Sequence, residues 1–209
     1  MSTRKLFLAS IVSNVIDKLI EFLSKSPKEL TVAFIPTAAD PYENKWFVDN
    51  DRNKLKERGF NLKEIDIKGN RKQELLDKFK GIDIIFVAGG NTFYLLEKAK
   101  ESGFDEIVKE SVQKGIIYVG SSAGATFVCP TIEPIKTLDD PSKAPSLKSF
   151  EGLNLINFVI LPHFGEEKYK TKYEKIIEEY EDKDYKIITL TDKEAILVED
   201  NKYKIIKSF

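Results

Sequence analysis

Two side chains in this sequence could act together as a nucleophile and its base. Ser122 lies in the pattern Gly-x-Ser-x-Gly, residues 120–124, directly after an apolar run. This pattern is typical of a sharp strand-to-helix turn that exposes the serine hydroxyl, and the glycines avoid crowding there. A serine hydroxyl needs a base to remove its proton, and His163 is the only histidine of the chain. We therefore expect Ser122 to be the nucleophile and His163 its base; the alternative is a chance match to a short pattern.

Short apolar runs alternate with segments of helical periodicity along the chain. This alternation predicts an α/β fold, with a mostly parallel sheet covered by helices on both faces. Four prolines between residues 130 and 145 predict an irregular loop, and a turn at Asp200 and Asn201 predicts a C-terminal hairpin. The predicted strands are residues 5–10, 30–36, 61–67, 82–88, 116–120, 155–161, 185–190, 195–198 and 203–207, and the predicted helices are residues 15–24, 45–58, 72–80, 92–100 and 169–180.

Ligands of open parallel sheets bind at the carboxyl ends of the strands. Four segments follow predicted strands, at residues 36–38, 89–92, 120–123 and 161–164. Because parallel strands end at one edge of a sheet, we expect Ser122 and His163 to lie on the same rim. Gly89 and Gly90 can direct backbone amides at a carbonyl oxygen that becomes negative, and Asn91 is suited to cap the next helix. The simpler interpretation of this glycine segment is a tight turn alone.

The composition limits the partners and cofactors to expect. The chain has 33 basic and 34 acidic residues, so no excess of charge predicts binding to nucleic acid or to a membrane. One cysteine and one histidine form no zinc-binding pattern, and we expect neither a metal nor a cofactor. No apolar segment approaches the ~20 residues of a membrane helix, and the first apolar run predicts a core strand rather than a signal peptide. We expect one cytoplasmic domain over residues 1–209, with no oligomeric state implied.

Several short motifs occur in a specific order along the chain. They are Gly-Gly-Asn-Thr-Phe at 89–93, Ser-Ala-Gly-Ala at 122–125, Cys-Pro-Thr-Ile at 129–132, Leu-Asn-Leu at 153–155 and Pro-His-Phe at 162–164. In order and rough spacing they resemble peptidase family S51, typified by dipeptidase E, the α-aspartyl dipeptidase, and the resemblance covers most of the chain. It implies a flavodoxin-like, doubly wound fold related to the class I glutamine amidotransferases.

The resemblance also implies a serine peptidase that hydrolyses small peptides through an acyl-enzyme. In it, Ser122 attacks the peptide carbonyl and His163 transfers the proton. The backbone amides of Gly90 and Ala123 hold the oxyanion, and Asn91 belongs to the same substrate-binding segment.

The third member of the family's catalytic triad is an acid on a turn near the C-terminus. Such an acid orients the histidine and stabilises its cation. Asp192 matches the family position best and Glu194 second. Either residue could instead be an ordinary solvated carboxylate of a turn.

Substrate choice follows the resemblance less closely. The family member uses an Asn-Asp pair in the proline-rich loop and an arginine beyond the histidine to recognise an N-terminal aspartate. Here the loop reads Lys-Thr-Leu-Asp-Asp at residues 136–140, and no arginine follows Arg71. Lys172 could supply a positive charge, but it lacks the two-pronged geometry of arginine. Strict specificity for aspartate is therefore not expected.

Two other functions fit parts of this pattern. An α/β-hydrolase esterase shares Gly-x-Ser-x-Gly, but its acid precedes its histidine, which would require Asp139, Asp140 or Glu151. A non-catalytic protein of the same fold would keep the motifs without turnover.

Overall fold

The computed structural model describes residues 3–180, 182, 183 and 185–208. Seven strands form one sheet in the order β3-β2-β4-β5-β1-β8-β9, and β6 and β7 form a separate two-stranded sheet. The strands are β1 (Lys5–Ala9), β2 (Thr31–Ile35), β3 (Asn61–Glu64), β4 (Ile84–Val87), β5 (Ile117–Ser121), β6 (Phe158–Leu161), β7 (Lys186–Thr189), β8 (Glu194–Glu199) and β9 (Lys202–Lys207). The helices are α1 (Ile16–Phe22), α2 (Trp46–Glu57), α3 (Lys72–Lys78), α4 (Thr92–Ser102), α5 (Phe104–Gln113), α6 (Ala123–Phe127) and α7 (Lys170–Tyr180).

The predicted α/β architecture is confirmed. The first five strands of the order pair in parallel, whereas β8 runs antiparallel to β1 and to β9. The order β3-β2-β4-β5 corresponds to the order 2-1-3-4 of flavodoxin-like sheets. The predicted C-terminal hairpin is β8 and β9, and its turn uses Asp200 with a φ of 53°.

Apolar residues cover both faces of the sheet because successive side chains of a strand point in opposite directions. In β1, Leu6 and Leu8 pack in one buried cluster with helices α3 to α7, whereas Phe7 and Ala9 pack in the other with α1 and α2. The central strands are therefore uninterrupted apolar runs, as expected for strands buried on both faces.

The strand that precedes the histidine is not part of the main sheet. β6 pairs in parallel with β7, and all four of its residues are buried. The prediction of a strand from residue 155 was too long, because Leu155 N donates to Val128 O at 2.9 Å and Asn154 has a φ of 53°. The imidazole therefore reaches the rim from a neighbouring layer rather than from a strand of the main sheet.

Helix α5 was not predicted, although its apolar residues recur at three- and four-residue spacing. Gly103, with a φ of 74°, separates it from α4 and makes the chain turn sharply between the two helices. The proline-rich segment is irregular, as predicted, with two short 3-10 turns at Glu133–Thr137 and Pro141–Lys143.

Replacing Gly124 by alanine should destabilise the fold. A Cβ there would lie 2.1 Å from Val87 O, because α6 packs directly against the end of β4. We expect Gly124→Ala to lower the free energy of unfolding in urea by about 1–3 kcal/mol, the usual cost of overpacking. The exposed Lys56→Ala is the control, with a change within about 0.5 kcal/mol. Equal stability of the two variants would contradict this packing.

Candidate active site

Ser122 occupies a strained turn between β5 and α6. Its φ of 50° and ψ of −107° are rare for a residue with a side chain. The turn is held by Ser122 N, which donates to Ala9 O at 2.9 Å, and by the amides of Ala125 and Thr126, which donate to Ser122 O. The conformation at the carboxyl end of β5 is that of the nucleophile elbow predicted from the glycine pattern.

His163 reaches this serine from the loop after β6. Its Nε2 lies 2.9 Å from Ser122 Oγ. The backbone of His163 is also left-handed, with a φ of 65°, and its amide donates to Ser10 Oγ at 2.8 Å. The structure therefore brings the predicted nucleophile and base into hydrogen-bond contact.

Asp192 completes a hydrogen-bonded row with these two residues. Its Oδ1 lies 2.7 Å from His163 Nδ1 and accepts a hydrogen bond from Ser10 Oγ at 2.6 Å. Asn14 Nδ2 donates to the Asp192 carbonyl at 3.0 Å and holds the turn before β8. Burial by itself would raise the pKa of Asp192, but the hydrogen bonds from His163 and Ser10 outweigh it and leave the pKa below its ordinary value.

The other candidate acids have different partners. Glu194 accepts a hydrogen bond from Thr191 N at 2.8 Å and so braces the turn that carries Asp192. Asp139 accepts from Thr92 N and Thr92 Oγ1 at 2.8 and 2.7 Å. Asp140 caps a 3-10 turn through Ser142 N at 2.9 Å. Of the two acids considered for the triad, Asp192 contacts the imidazole, and the esterase order of residues gains no support.

The glycine turn after β4 lies beside the nucleophile. A Cβ at Gly89 would be 3.4 Å from Ser122 Cβ, and one at Gly90 would be 2.1 Å from Ala38 O. Gly90 has a φ of 148°, which disfavours any other residue. Within the described residues, neither Gly90 N nor Ala123 N donates to a protein acceptor. The oxyanion role of both amides stays a prediction, and no protein acceptor among the described residues competes with it.

This arrangement of side chains agrees with the protein family that the sequence matches. Residues 6–206 match the model of peptidase family S51. The chain belongs to this family. The resemblance inferred from the motifs is thereby confirmed, and the S51 peptidase described here is a serine-type hydrolase of peptides.

Three similar proteins illustrate the relationship. An uncharacterized peptidase of Pasteurella multocida is 34% identical over 204 residues, which are 98% of this chain and 97% of the relative. Peptidase E of a Nostoc species is 34% identical over 143 residues, which are 68% of this chain and 55% of the relative. A crystal structure from Listeria monocytogenes, provisionally described as a peptidase E, has a TM-score of 0.92 and 33% identity, and all of both chains is covered.

Asn91 of the S51 peptidase is buried behind the glycine turn. Its Oδ1 accepts from Tyr94 N and caps α4, while its Nδ2 donates to Asp140 O, both at 2.9 Å. The predicted cap is present, and it also anchors the proline-rich loop. Both ends of its side-chain amide are thus engaged by protein groups. Substrate binding by Asn91 stays a prediction.

The site opens into a cavity of about 270 Å³. Sequence reasoning missed Ser10, which bonds to both His163 and Asp192. Ser10 directly follows β1, so the rule that selected the other rim segments would have found it too. The cavity is lined by Ser10, Ile11, Ser13, Tyr42, Trp46, Phe47, Asn50, Asp51, Gly89, Gly90, Thr92, Ser121, Ser122, Thr126, Ile135, Leu138, Asp139, Pro162, His163, Lys168, Tyr169, Tyr173 and Asp192.

Two further carboxyls belong to this lining, of which Asp51 is buried and Asp139 is partly buried. Burial raises the pKa of Asp51, although the Ser13 amide donates to its Oδ1 at 2.8 Å. Burial likewise raises the pKa of Asp139, against the opposing hydrogen bonds from Thr92. Both shifts run opposite to that of Asp192, so the three acids of the cavity have distinct environments.

The described part of the chain shows neither a metal-binding cluster nor a membrane-spanning helix. No three or more His, Cys, Asp and Glu side chains there are grouped to hold a metal ion. In residues 3–180, 182, 183 and 185–208, no helix has both the length and the apolar character to cross a membrane.

Removing the Ser10 hydroxyl should slow hydrolysis with little effect on substrate binding. We expect Ser10→Ala to lower kcat about 10- to 100-fold, since a hydrogen bond to a charged group is worth ~1.5–3 kcal/mol, and to leave KM nearly unchanged. Steady-state kinetics on a cleaved peptide measures both constants. The exposed Ser24→Ala is the matched control. An unchanged kcat in Ser10→Ala would show that this hydroxyl does not position the imidazole and the carboxylate.

The lowered pKa of Asp192 should also be visible in stability. A carboxyl whose pKa is lower in the folded than in the unfolded state stabilises the fold at pH values above its unfolded pKa of about 3.9. This stabilisation is lost as the pH falls through the pKa of the folded state. We expect the difference in unfolding free energy between wild type and Asp192→Asn to narrow on acidification from about pH 6 to about pH 3. Urea unfolding at each pH measures it. A difference that stays constant would argue against the shift.

Proposed function

We propose that this S51 peptidase hydrolyses amide bonds of short peptides through an acyl-enzyme on Ser122, with His163 as general base and acid and Asp192 as its orienting carboxylate. The observation that carries the proposal is the unbroken row of contacts, 2.9 Å from Ser122 Oγ to His163 Nε2 and 2.7 Å from His163 Nδ1 to Asp192 Oδ1. A non-catalytic protein would have no need to keep all three groups in this register.

In the acylation step, Ser122 Oγ attacks the carbonyl carbon of the substrate while its proton passes to His163 Nε2. The carbonyl oxygen becomes an oxyanion, and the amides of Gly90 and Ala123 are the donors proposed for it. The Asp192 carboxylate accepts a hydrogen bond from the Nδ1–H group of the imidazole, which fixes the tautomer and stabilises the cation that forms. Its lowered pKa keeps this group ionised at neutral pH.

Two bond cleavages complete the reaction. The tetrahedral intermediate collapses, the carbon–nitrogen bond breaks, and His163 Nε2 gives its proton to the leaving amine. Water then attacks the Ser122 ester, and its proton passes to His163. Collapse of the second intermediate breaks the ester bond, returns the proton to Ser122 Oγ and releases the acid.

The size of the site supports short substrates. A volume of about 270 Å³ lies near the lower end of the ~300–1,000 Å³ usual for small-molecule sites. The proline-rich loop contributes Ile135, Leu138 and Asp139 to the lining, and the Asn91–Asp140 hydrogen bond anchors that loop. Similarity to a peptidase E supports the same class of substrate.

Active-site variants test this proposal. We expect Ser122→Ala and His163→Ala to lower kcat at least ~10³-fold, and Asp192→Asn to lower it about 10³- to 10⁴-fold through loss of the correct tautomer. The measurement is release of free amino acid from a dipeptide panel, together with labelling of Ser122 by a fluorophosphonate.

The matched control is Glu194→Gln, whose amide oxygen can still accept the hydrogen bond from Thr191 N. We expect this variant to keep most of the activity. Greater loss in Glu194→Gln than in Asp192→Asn would assign the acid to Glu194. Full activity of Ser122→Ala would overturn the proposed mechanism through an acyl-enzyme.

A further inference from the structure

Three aromatic side chains form one side of the cavity, and we call them the aromatic wall: Tyr42, Trp46 and Phe47. Aromatic residues at the start of a helix usually pack in the core, but here Trp46 is 57% exposed and Tyr42 is 39% exposed. Both rings meet Phe47 edge to face, with centroid distances of 6.0 Å from Trp46 and 5.9 Å from Tyr42. These contacts leave ring surface of Trp46 and Tyr42 open to an occupant of the cavity.

Phe47 of the aromatic wall and the imidazole of His163 approach Ser122 from the ends of different strands. Phe47 adjoins the glycine turn after β4, since a Cβ at Gly89 would be 3.7 Å from Phe47 Cδ2. His163 instead contacts Ser10, after β1, and β4 and β1 flank β5 on its two sides. In the proposed reaction the leaving amine must face His163, which protonates it. The acyl part of the substrate is then left to the end of the cavity where Phe47 lies.

The charges of the lining disfavour an acidic group at the wall. Three aspartates line the cavity. Burial of Tyr42 is the main reason that the pKa of its phenol is raised to about 12, and the charge of the nearby Asp139 is the second reason. Lys168 is the one lysine among the described lining residues. Its ammonium lies 4.8 Å from the Tyr169 ring centre, on the His163 side. A substrate carboxylate at the wall would thus meet like charge.

We propose that the S51 peptidase selects an acyl residue with a large apolar side chain, an aromatic one above all, which packs against Trp46, Tyr42 and Phe47. This inference rests on the proposed function, because it assigns a specificity to the acyl side of that same site. The wall offers neutral ring faces and edges, the surface that aromatic side chains pack against most favourably. An aspartate at the same position would gain none of these contacts.

The test compares the dipeptides Phe-Gly, Leu-Gly, Ala-Gly and Asp-Gly, which share one leaving group. We expect kcat/KM for Phe-Gly to exceed that for Ala-Gly at least about tenfold, and Asp-Gly to be cleaved more slowly than Ala-Gly. Trp46→Ala should lose about tenfold on Phe-Gly but less than about twofold on Ala-Gly. Tyr203→Ala, a surface aromatic on β9 with the 39% exposure of Tyr42, is the matched control and should change neither value.

A binding measurement separates this inference from the proposed function. Trp46 is the only tryptophan of the chain, so its fluorescence in Ser122→Ala reports occupancy of the wall without turnover. We expect Phe-Gly to shift the emission with a Kd about tenfold below that of Ala-Gly.

Each outcome has one meaning. If fluorophosphonate labels Ser122, equal kcat/KM values for Phe-Gly and Ala-Gly would overturn the aromatic preference and leave the proposed function standing. Equal losses of kcat/KM on both dipeptides in Trp46→Ala would have the same meaning. If fluorophosphonate does not label Ser122 and no dipeptide is hydrolysed, the proposed function is overturned. The fluorescence titration would still measure the preference of the wall in that case.

Discussion

The close approach of α6 to the ends of β4 and β5 is the constraint on which the site depends. No side chain fits between these elements, since a Cβ at Gly120 would lie 2.5 Å from Gly124 C and one at Gly124 would lie 2.1 Å from Val87 O. The chain must therefore reverse within one residue, and Ser122 takes a backbone conformation that is costly for a side chain. Burial of α6 offsets that cost, and the result is a serine hydroxyl that projects from the rim.

A second strained residue meets the first. His163, like Ser122, has a positive φ, and both residues are held by hydrogen bonds to β1 or to the residue that follows it. Ala9 O accepts from Ser122 N, and Ser10 Oγ accepts from His163 N. Ser10 also donates to Asp192, so the end of one central strand positions all three members of the row. Because the backbone is held on both sides of the Ser122–His163 contact, the two side chains move little relative to each other.

The cavity joins two kinds of surface. The lining carries the imidazole and the Asp192 carboxylate on the one hand and the aromatic wall of Tyr42, Trp46 and Phe47 on the other. The strand order places the carboxyl ends of β4, β5 and β1 side by side, and residues at these ends line the cavity together with the start of α2. The same topology therefore positions the groups proposed for chemistry and the surface proposed for selection.

Much of this protein follows from local sequence. Apolar runs alternating with helical periodicity predict the α/β fold, because buried parallel strands must be apolar on both faces, and the glycine spacing around Ser122 predicts the elbow, because only glycine permits such close packing. Other features depend on tertiary structure. Whether Asp192 or Glu194 meets His163 depends on how the β8 turn packs against β1, and Ser10 joins the row only because the strand order sets β1 between β5 and β8. Trp46 and Tyr42 have core-like residue types, and their exposure is decided by where α2 begins relative to the crevice. Local patterns determine which elements form, whereas contacts between residues distant in sequence arise only when the sheet assembles.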